Sequence, residues 1–444
     1  MKTVEKDAWP FVPLKSAVFD EMEIVSAKGV YLYTKQGQRI LDASAGAVVG
    51  NIGWGREEVA SQSAEALTRL TYTLPPFATP ERVELVERLR ENWLPENNRK
   101  VSFFGSGTEA NEAAIRLARQ YQLAKGRKER YKVIGRDVSY NGTSVATLAV
   151  GGHAARQRGF EPLMPPMPHA PACYCLRCPL EKTLPGCKVA CAQELEAVIE
   201  REGADTIAGF LAEPIVGTSG GSLVPPDEYW PAIEAICKRH DILLIADEVL
   251  TGFGRTGERF ALNHWDIEAD VVVLGKGMSG GYASISGIAA TDAVADALAT
   301  AGMMPMFHTY GGHPVHCATA SKVLEIMDEE NLIGRVQALA PVLEAKLKTL
   351  ESHPNVAQVR GRGFLWSVEM VRDKSTSTRF PESAAVTFKV MEATVKQGVF
   401  TYFGGTGAVR DIINVAPHFI IAEAQMDDIV SALHTGITEV CAEV

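Results

Sequence analysis

The chemistry in this chain centres on an acid at the end of one apolar run and a lysine just past another. Ile242-Leu243-Leu244-Ile245-Ala246 is short, continuous and aliphatic, which suits a parallel strand covered on both faces, and Asp247-Glu248-Val249 closes it. Val271-Val272-Val273-Leu274 reads the same way and delivers Lys276 to its carboxyl end, where open α/β sheets gather their ligand chemistry. Both side chains then open on one crevice. Gly275 and Gly277 remove side chains on both sides of the lysine, which lets a flat ligand approach the backbone. An amine partly withdrawn from water loses its proton readily, as a Schiff-base lysine must. A carboxylate such as Asp247 favours the protonated form of a nearby ring nitrogen. Taken alone, Lys276 also fits a solvated charge at a strand end.

A lysine that forms an imine and a carboxylate that faces a cationic ring nitrogen are together what pyridoxal 5'-phosphate (PLP) requires. The stretches Ala246-Asp247-Glu248-Val249, Gly252-Phe253-Gly254-Arg255-Thr256-Gly257 and Gly275-Lys276-Gly277 resemble class III, fold-type-I PLP-dependent aminotransferases, the group that contains the ω-transaminases. Further matches run from about Gly29 to about Pro417. The resemblance implies an α/β fold: a large domain with a mainly parallel seven-stranded sheet, plus a smaller α+β domain built from both termini. It places an N-terminal arm and part of the small domain at 1–65, the large PLP-binding domain at 66–318 and the C-terminal small domain at 319–444.

The elements that must position these residues follow in order. Residues 1 to about 28, with Trp9, Pro10, Phe11 and Pro13, form an irregular lead-in that in the family lies over the active-site entrance. Residues 30–33 and 39–41, around a Gly-containing turn, read as a hairpin, and the glycine-rich 45–55 precedes helical patterns at about 57–71 and 80–93. Thr79 and Pro80 suit the N-cap and first position of the second helix. A short strand at 101–104 then feeds Gly105-Ser106-Gly107-Thr108 and a helical run to about 124. Strand, small polar turn and helix start make an anion site, because free N–H groups point outward at the positive end of the dipole. Ser106 or Thr108 acting merely as a helix cap fits the same pattern.

The resemblance assigns the PLP phosphate to Ser106, Gly107 and Thr108, and the stacking aromatic to Tyr140, which follows a strand at 131–134. Asn141 departs from the histidine more usual there. Glu213, at the end of a strand over 206–212, falls near the cofactor's hydroxyl edge, and Val249 joins the cofactor-binding set. An amphipathic helix at 229–240 leads back to the central strand. The segment 306–314 resembles the phosphate-closing segment whose threonine, here Thr309, reaches the cofactor of a neighbouring subunit. A homodimer or dimer of dimers with composite sites follows from that assignment. For substrate contacts the resemblance points to Val48, where some relatives carry a tryptophan, Trp54, where many carry a histidine, and Arg410, the arginine of the loop Gly404 to Asp411. Val48 in place of a tryptophan implies a roomier pocket.

Composition narrows the class. The 444 residues, 46% apolar and 22% charged, suit a soluble globular protein with a large core. A formal net charge of −10 argues against a general nucleic-acid or anionic-membrane surface. The first ten residues lack the apolar core of a signal peptide and nowhere does an apolar run reach the length of a membrane span, so the expected location is the cytoplasm. Cys173, Cys175, Cys178, Cys187 and Cys191 have spacings that invite a zinc reading. Similar inserts occur in class III enzymes as a metal-free loop, and six prolines between 165 and 185 favour a loop here, so no metal is expected.

The leading reading is a transaminase that holds PLP on Lys276, takes an amino group from an amine or amino acid and passes it to a keto acid, preferably pyruvate, with ping-pong kinetics. An aminomutase or a decarboxylating transaminase carries the same motifs. A nucleotide- or NAD-binding protein is the rival from another class, since Gly105 to Ala110 and Gly252 to Gly257 both fit a dinucleotide glycine pattern. It leaves Asp247 and Gly275-Lys276-Gly277 unexplained. A catalytically silent PLP-binding regulator is a further alternative.

Overall fold

The computed structural model describes residues 22–407 and 409–444. The greater part of the expected N-terminal arm, with Trp9, Pro10, Phe11 and Pro13, lies outside the described residues.

The described residues open with a meander of β1 (Ile24–Lys28), β2 (Tyr31–Thr34) and β3 (Arg39–Asp42). The large sheet takes β4 (Lys100–Phe104), β5 (Lys132–Asp137), β6 (Gly151–Gly152), β7 (His169–Ala170), β8 (Ile207–Ala212), β9 (Leu243–Asp247), β10 (Val271–Leu274) and β11 (Ser286–Ala290). Its order is β4-β11-β10-β9-β8-β5-β6, with β7 also beside β5. Every pairing is parallel except those of β11 with β4 and β10. The sheet thus has eight strands where seven are expected, because the two residues of β7 return against β5 from the proline-rich insert.

The aliphatic runs are continuous because both faces are covered. Leu243 and Ile245 of β9 pack with the alanine-rich face of the Gly107–Ala124 helix, while Leu244 and Ala246 pack on the other side with Tyr229, Trp230 and Ile233 of the Tyr229–His240 helix. Each leucine or isoleucine side chain so buried stabilises the fold by roughly 1.5–3 kcal/mol against exposure.

Downstream, β12 (Val356–Arg362), β13 (Leu365–Met370), β14 (Val399–Phe400), β15 (Tyr402–Thr406) and β16 (Val409–Val415) complete the strands. β12, β13, β16 and β15 form an antiparallel sheet. β14 instead runs parallel to β3, pairing Val399 with Leu41, so the two ends of the chain build one sheet. Buried Arg255 ties this part to the large sheet by donating to the carbonyls of Pro417 at 2.6 Å and Phe364 at 3.3 Å, and to that of Gly50. That commits the Gly252–Gly257 loop to packing rather than to a nucleotide. Among the described residues no helix is long and apolar enough to cross a membrane.

Candidate active site

The carboxyl ends of β4, β5, β8, β9 and β10 share one edge of the sheet, and a cavity of about 280 Å³ opens there. Register does the positioning. Val273 of β10 pairs with Asp247 of β9, so Lys276 emerges three residues later beside that carboxylate; Ala212 of β8 pairs with Ala246, so Glu213 emerges on the other side. The cavity is lined by Lys276, Asp247, Glu213, Ser106, Gly107, Thr108, Tyr140 and Val249, eight residues that the sequence reading had grouped.

Asp247 is almost wholly buried, 3% exposed. Its Oδ2 accepts side-chain N–H groups from Asn141 at 2.7 Å and Asn111 at 2.8 Å, and its Oδ1 accepts the Val249 N–H at 3.1 Å. Burial pushes this carboxyl above its ordinary value, while the three hydrogen bonds and the nearby Lys276 pull it back. The Lys276 side chain keeps one side open to the cavity, but the protein around its ammonium removes it from bulk water. That desolvation lowers its pKa, against the opposing pull of Glu213 and Asp247. Glu213, also buried, is pushed up to about 7 by burial and then by Asp247, although it accepts the backbone N–H groups of Tyr140 at 3.0 Å and Gly217 at 2.8 Å.

Lys276 itself sits at φ +39°, in the left-handed region, at a cost of order 1 kcal/mol. A tight turn holds it there: the Met278 N–H donates to Gly275 O at 3.0 Å, and Asn51 from the glycine-rich 45–55 segment donates to Gly277 O at 2.7 Å. The flanking glycines have a different reason from the one expected. A Cβ on Gly275 would stand 3.1 Å from Val249 Cγ1 and one on Gly277 would stand 3.0 Å from Phe253 Cβ, so both make room for protein side chains. Val249 also crowds Gly107, where a Cβ would fall 2.9 Å away.

At the start of the Gly107–Ala124 helix, Ser106 is the N-cap and its hydroxyl accepts the Glu109 N–H at 3.2 Å. The Glu109 carboxylate in turn accepts the Gly105 N–H at 2.7 Å. The N–H groups of Gly107 and Thr108, which have no intrahelical acceptor, remain at the cavity with the positive end of the dipole behind them. Ser106 therefore caps its helix and lines an anion cradle at once.

Other expected residues lie elsewhere. Thr309, expected to serve a neighbouring subunit's site, is exposed and outside this chain's own cavity. Val48 turns into the core at 2% exposure, and its neighbour Ala47 lines the cavity. The Trp54 indole donates to Asp42 Oδ2 at 3.1 Å and meets the His418 ring edge-on. Arg410 does not line the cavity; its guanidinium donates to Phe380 O at 2.7 Å. In their place stand Asn111, Asn141, His153, Arg156, Thr218 and Tyr402, which sequence reading did not assign to the site. The i+4 spacing of Asn111 from Gly107 on the Gly107–Ala124 helix was a usable signal, and the resemblance marked the position of Asn141; nothing local marked the other four. In the insert, Cys173 neighbours Cys175 and Cys191, and all eight cysteines are free thiols. Among the described residues no three His, Cys, Asp or Glu side chains converge as a metal-ligand set.

A doubly wound, mainly parallel sheet with a lysine, a carboxylate and a helix N-terminus gathered at its carboxyl edge is the architecture of the fold-type-I enzymes. The family model for class III aminotransferases matches residues 15–437, and the chain belongs to that family, whose members are PLP-dependent. It is similar to the putrescine–pyruvate aminotransferase of Pseudomonas aeruginosa, 35% identical over 95% of this chain and 91% of that protein. Among solved structures it is similar to an (S)-enantioselective ω-transaminase from Thermomicrobium roseum, with a TM-score of 0.91 and 37% identity over 98% of this chain and 97% of that one. A transaminase from directed evolution by ancestral reconstruction superposes at a TM-score of 0.93, with 32% identity over 99% and 98% of the two chains.

Proposed function

We propose that this chain binds PLP in the Lys276–Asp247 cavity and transfers an amino group from an amine or amino acid to a keto acid, with pyruvate as acceptor, in two half-reactions. One observation carries the reading: a buried carboxylate, a desolvated lysine and two free helix N–H groups line the same cavity. They match the ring nitrogen, aldehyde and phosphate of one molecule. When bound, PLP supplies the electron withdrawal that acidifies the carbon bearing the amino group.

The protein's own residues supply the rest. Ser106, Gly107 and Thr108 would hold the phosphate, Tyr140 and Val249 would bound the ring, and Glu213 would serve its hydroxyl edge. Asp247, oriented by Asn141 and Asn111, keeps the ring nitrogen protonated. Lys276 Nζ would hold the cofactor's aldehyde carbon, and as the neutral amine that burial favours it would take the substrate proton and return it.

The assembly is a homodimer with composite sites. Phe77, Met304, Met306, Phe307 and Tyr310 are each more than half exposed, and four of them line an apolar groove of about 530 Å³ beside Thr309. Such a patch suits a second copy of the chain, with Thr309 reaching its cavity. Pyruvate as acceptor draws support from the name of the Pseudomonas relative. The cytoplasm is the location this reading assumes.

A panel of amine donors against pyruvate and 2-oxoglutarate tests the reading, with products identified by mass. Alanine formed in step with a carbonyl product from the donor is the expected result. Isomerised donor with no net transfer would mean an aminomutase, and loss of carbon dioxide a decarboxylating enzyme; an unchanged mixture would leave only a silent PLP binder.

A further inference from the structure

The arginine of the loop expected to meet a substrate carboxylate does not line the cavity. Arg410 is engaged with Phe380 O, and the loop's nearer residues Gly404, Gly405, Thr406 and Gly407 bring no cation. What they bring is a floor. The Thr406 hydroxyl accepts the Ala155 N–H at 3.3 Å and bonds His153 Nδ1 at 2.9 Å, and a Cβ on Gly407 would touch Ala154 Cβ at 3.3 Å. Gln157 braces the same short helix, Ala154–Gln157, by donating to Leu148 O at 2.8 Å and to Gly151 O. The segment is thereby fixed at both ends, and its Arg156 lines the cavity with the guanidinium carbon 4.9 Å from the Tyr140 ring centre.

Among the described residues lining the cavity, Arg156 carries the one guanidinium, a group that stays charged across the working pH range, whereas burial favours the neutral amine of Lys276. His153, beside it, is held neutral down to about 4 by burial and by the Arg156 charge. Among the described residues Arg156 has no ion-pair partner within 4.0 Å, whereas Arg56, Arg69, Arg88 and Arg360 each have at least one. Stacking on Tyr140 orders the planar fork without using its N–H groups, and a fork of that kind pairs with a carboxylate through two hydrogen bonds.

We propose that Arg156, seated on Tyr140, is the specificity residue that receives the carboxylate of the keto-acid acceptor and of its amino-acid product. The proposal rests on the PLP-transaminase reading and identifies α-carboxylates as the anionic substrate class of that same site. Carboxylate-free amines then react without using Arg156, so one cavity serves both substrate types.

The test uses the PLP-loaded enzyme and three variants, Arg156→Ala, Arg156→Lys and Arg410→Ala. Propionate, an unreactive carboxylate, is titrated by calorimetry, and the half-reactions with pyruvate and with benzylamine are followed separately. The expected result for Arg156→Ala is propionate binding and pyruvate reaction weakened roughly tenfold to a hundredfold, the worth of a charged hydrogen-bonded pair. Its benzylamine half-reaction and PLP absorbance stay within about threefold of wild type, and Arg156→Lys recovers part of the loss. Equal losses with pyruvate and benzylamine, weakened PLP binding, or a loss confined to Arg410→Ala would each overturn the assignment, as would unchanged propionate binding in Arg156→Ala. A wild-type enzyme that bound PLP and propionate but transferred no amino group would sink the transaminase reading while the propionate comparison still judged Arg156.

Discussion

Asn141 donates a side-chain N–H to Asp247 Oδ2 across 2.7 Å, and Asn111 reaches the same oxygen from a different element across 2.8 Å. The carboxylate is thus oriented by two neutral amides, and Oδ1 is left with one backbone donor. A neutral donor fixes geometry without competing for the negative charge that a ring nitrogen needs.

Asp247→Asn keeps the shape of that network and removes the charge. The variant should fold and retain bound PLP, yet transfer amino groups slower by orders of magnitude, because a neutral ring nitrogen withdraws electrons poorly. Asn141→Ala keeps the charge and loosens its aim, which should slow the amine half-reaction roughly tenfold, about the worth of one hydrogen bond to a charged group. Stopped-flow absorbance with saturating amine measures both. Near-normal rates in Asp247→Asn would remove Asp247 as the ring-nitrogen partner.

Lys276 is the covalent anchor in the proposed function. Borohydride treatment of the PLP-loaded protein should leave the cofactor on the peptide containing Lys276, read by mass after proteolysis. Label on any other lysine would contradict the assignment. Lys276→Ala should abolish turnover while the phosphate cradle at Gly107 and Thr108 still retains PLP on dialysis.

Phe307 is 55% exposed within the apolar groove. Burying such a ring against a second copy contributes roughly 1.5–3 kcal/mol, and a buried unpaired carboxylate costs more than that gain. Phe307→Glu should therefore shift sedimentation from twice the chain mass toward the monomer. A monomeric wild type, or an unchanged variant dimer, would place the subunit contact elsewhere.

Glu248 gives a pH dependence that needs no cofactor. It is fully buried, accepts the Leu262 N–H at 3.0 Å and the Thr251 hydroxyl at 2.5 Å, and burial pushes its carboxyl from 4.5 up to about 7. Between those values the folded chain keeps a proton the unfolded chain has lost. Its contribution to stability is therefore complete below about 4.5 and shrinks as the pH rises to about 7, by up to ~1.4 kcal/mol per pH unit. Glu248→Gln cannot ionise, so urea unfolding of the cofactor-free protein should show the variant gaining on wild type between about pH 4.5 and pH 7. Parallel curves would mean that Glu248 titrates normally.

The Asp247 and Lys276 strand ends and the Ser106 turn were legible in the sequence because each depends on local facts: an unbroken aliphatic run, the residue that ends it, and small polar residues before a helix. Strand order alone then brings them together, since parallel strands put their carboxyl ends on one edge. The resemblance supplied roles that local pattern does not contain, Tyr140 and Glu213 among them. The tertiary structure decided what depends on contacts between distant segments. Gly275 and Gly277 turned out to yield space to Val249 and Phe253, and Ser106 to be both cap and cavity wall. Asn111 and Asn141 are 30 positions apart in the chain and meet only because the helix after β4 and the loop after β5 converge on Asp247. The sequence could offer Arg410 as a cation near the site, but whether an arginine faces the cavity depends on its backbone's direction and on competing acceptors. Phe380 O holds Arg410 outside, while Thr406 and Gln157 hold the Arg156 segment against the wall, and those partners lie up to 253 residues away.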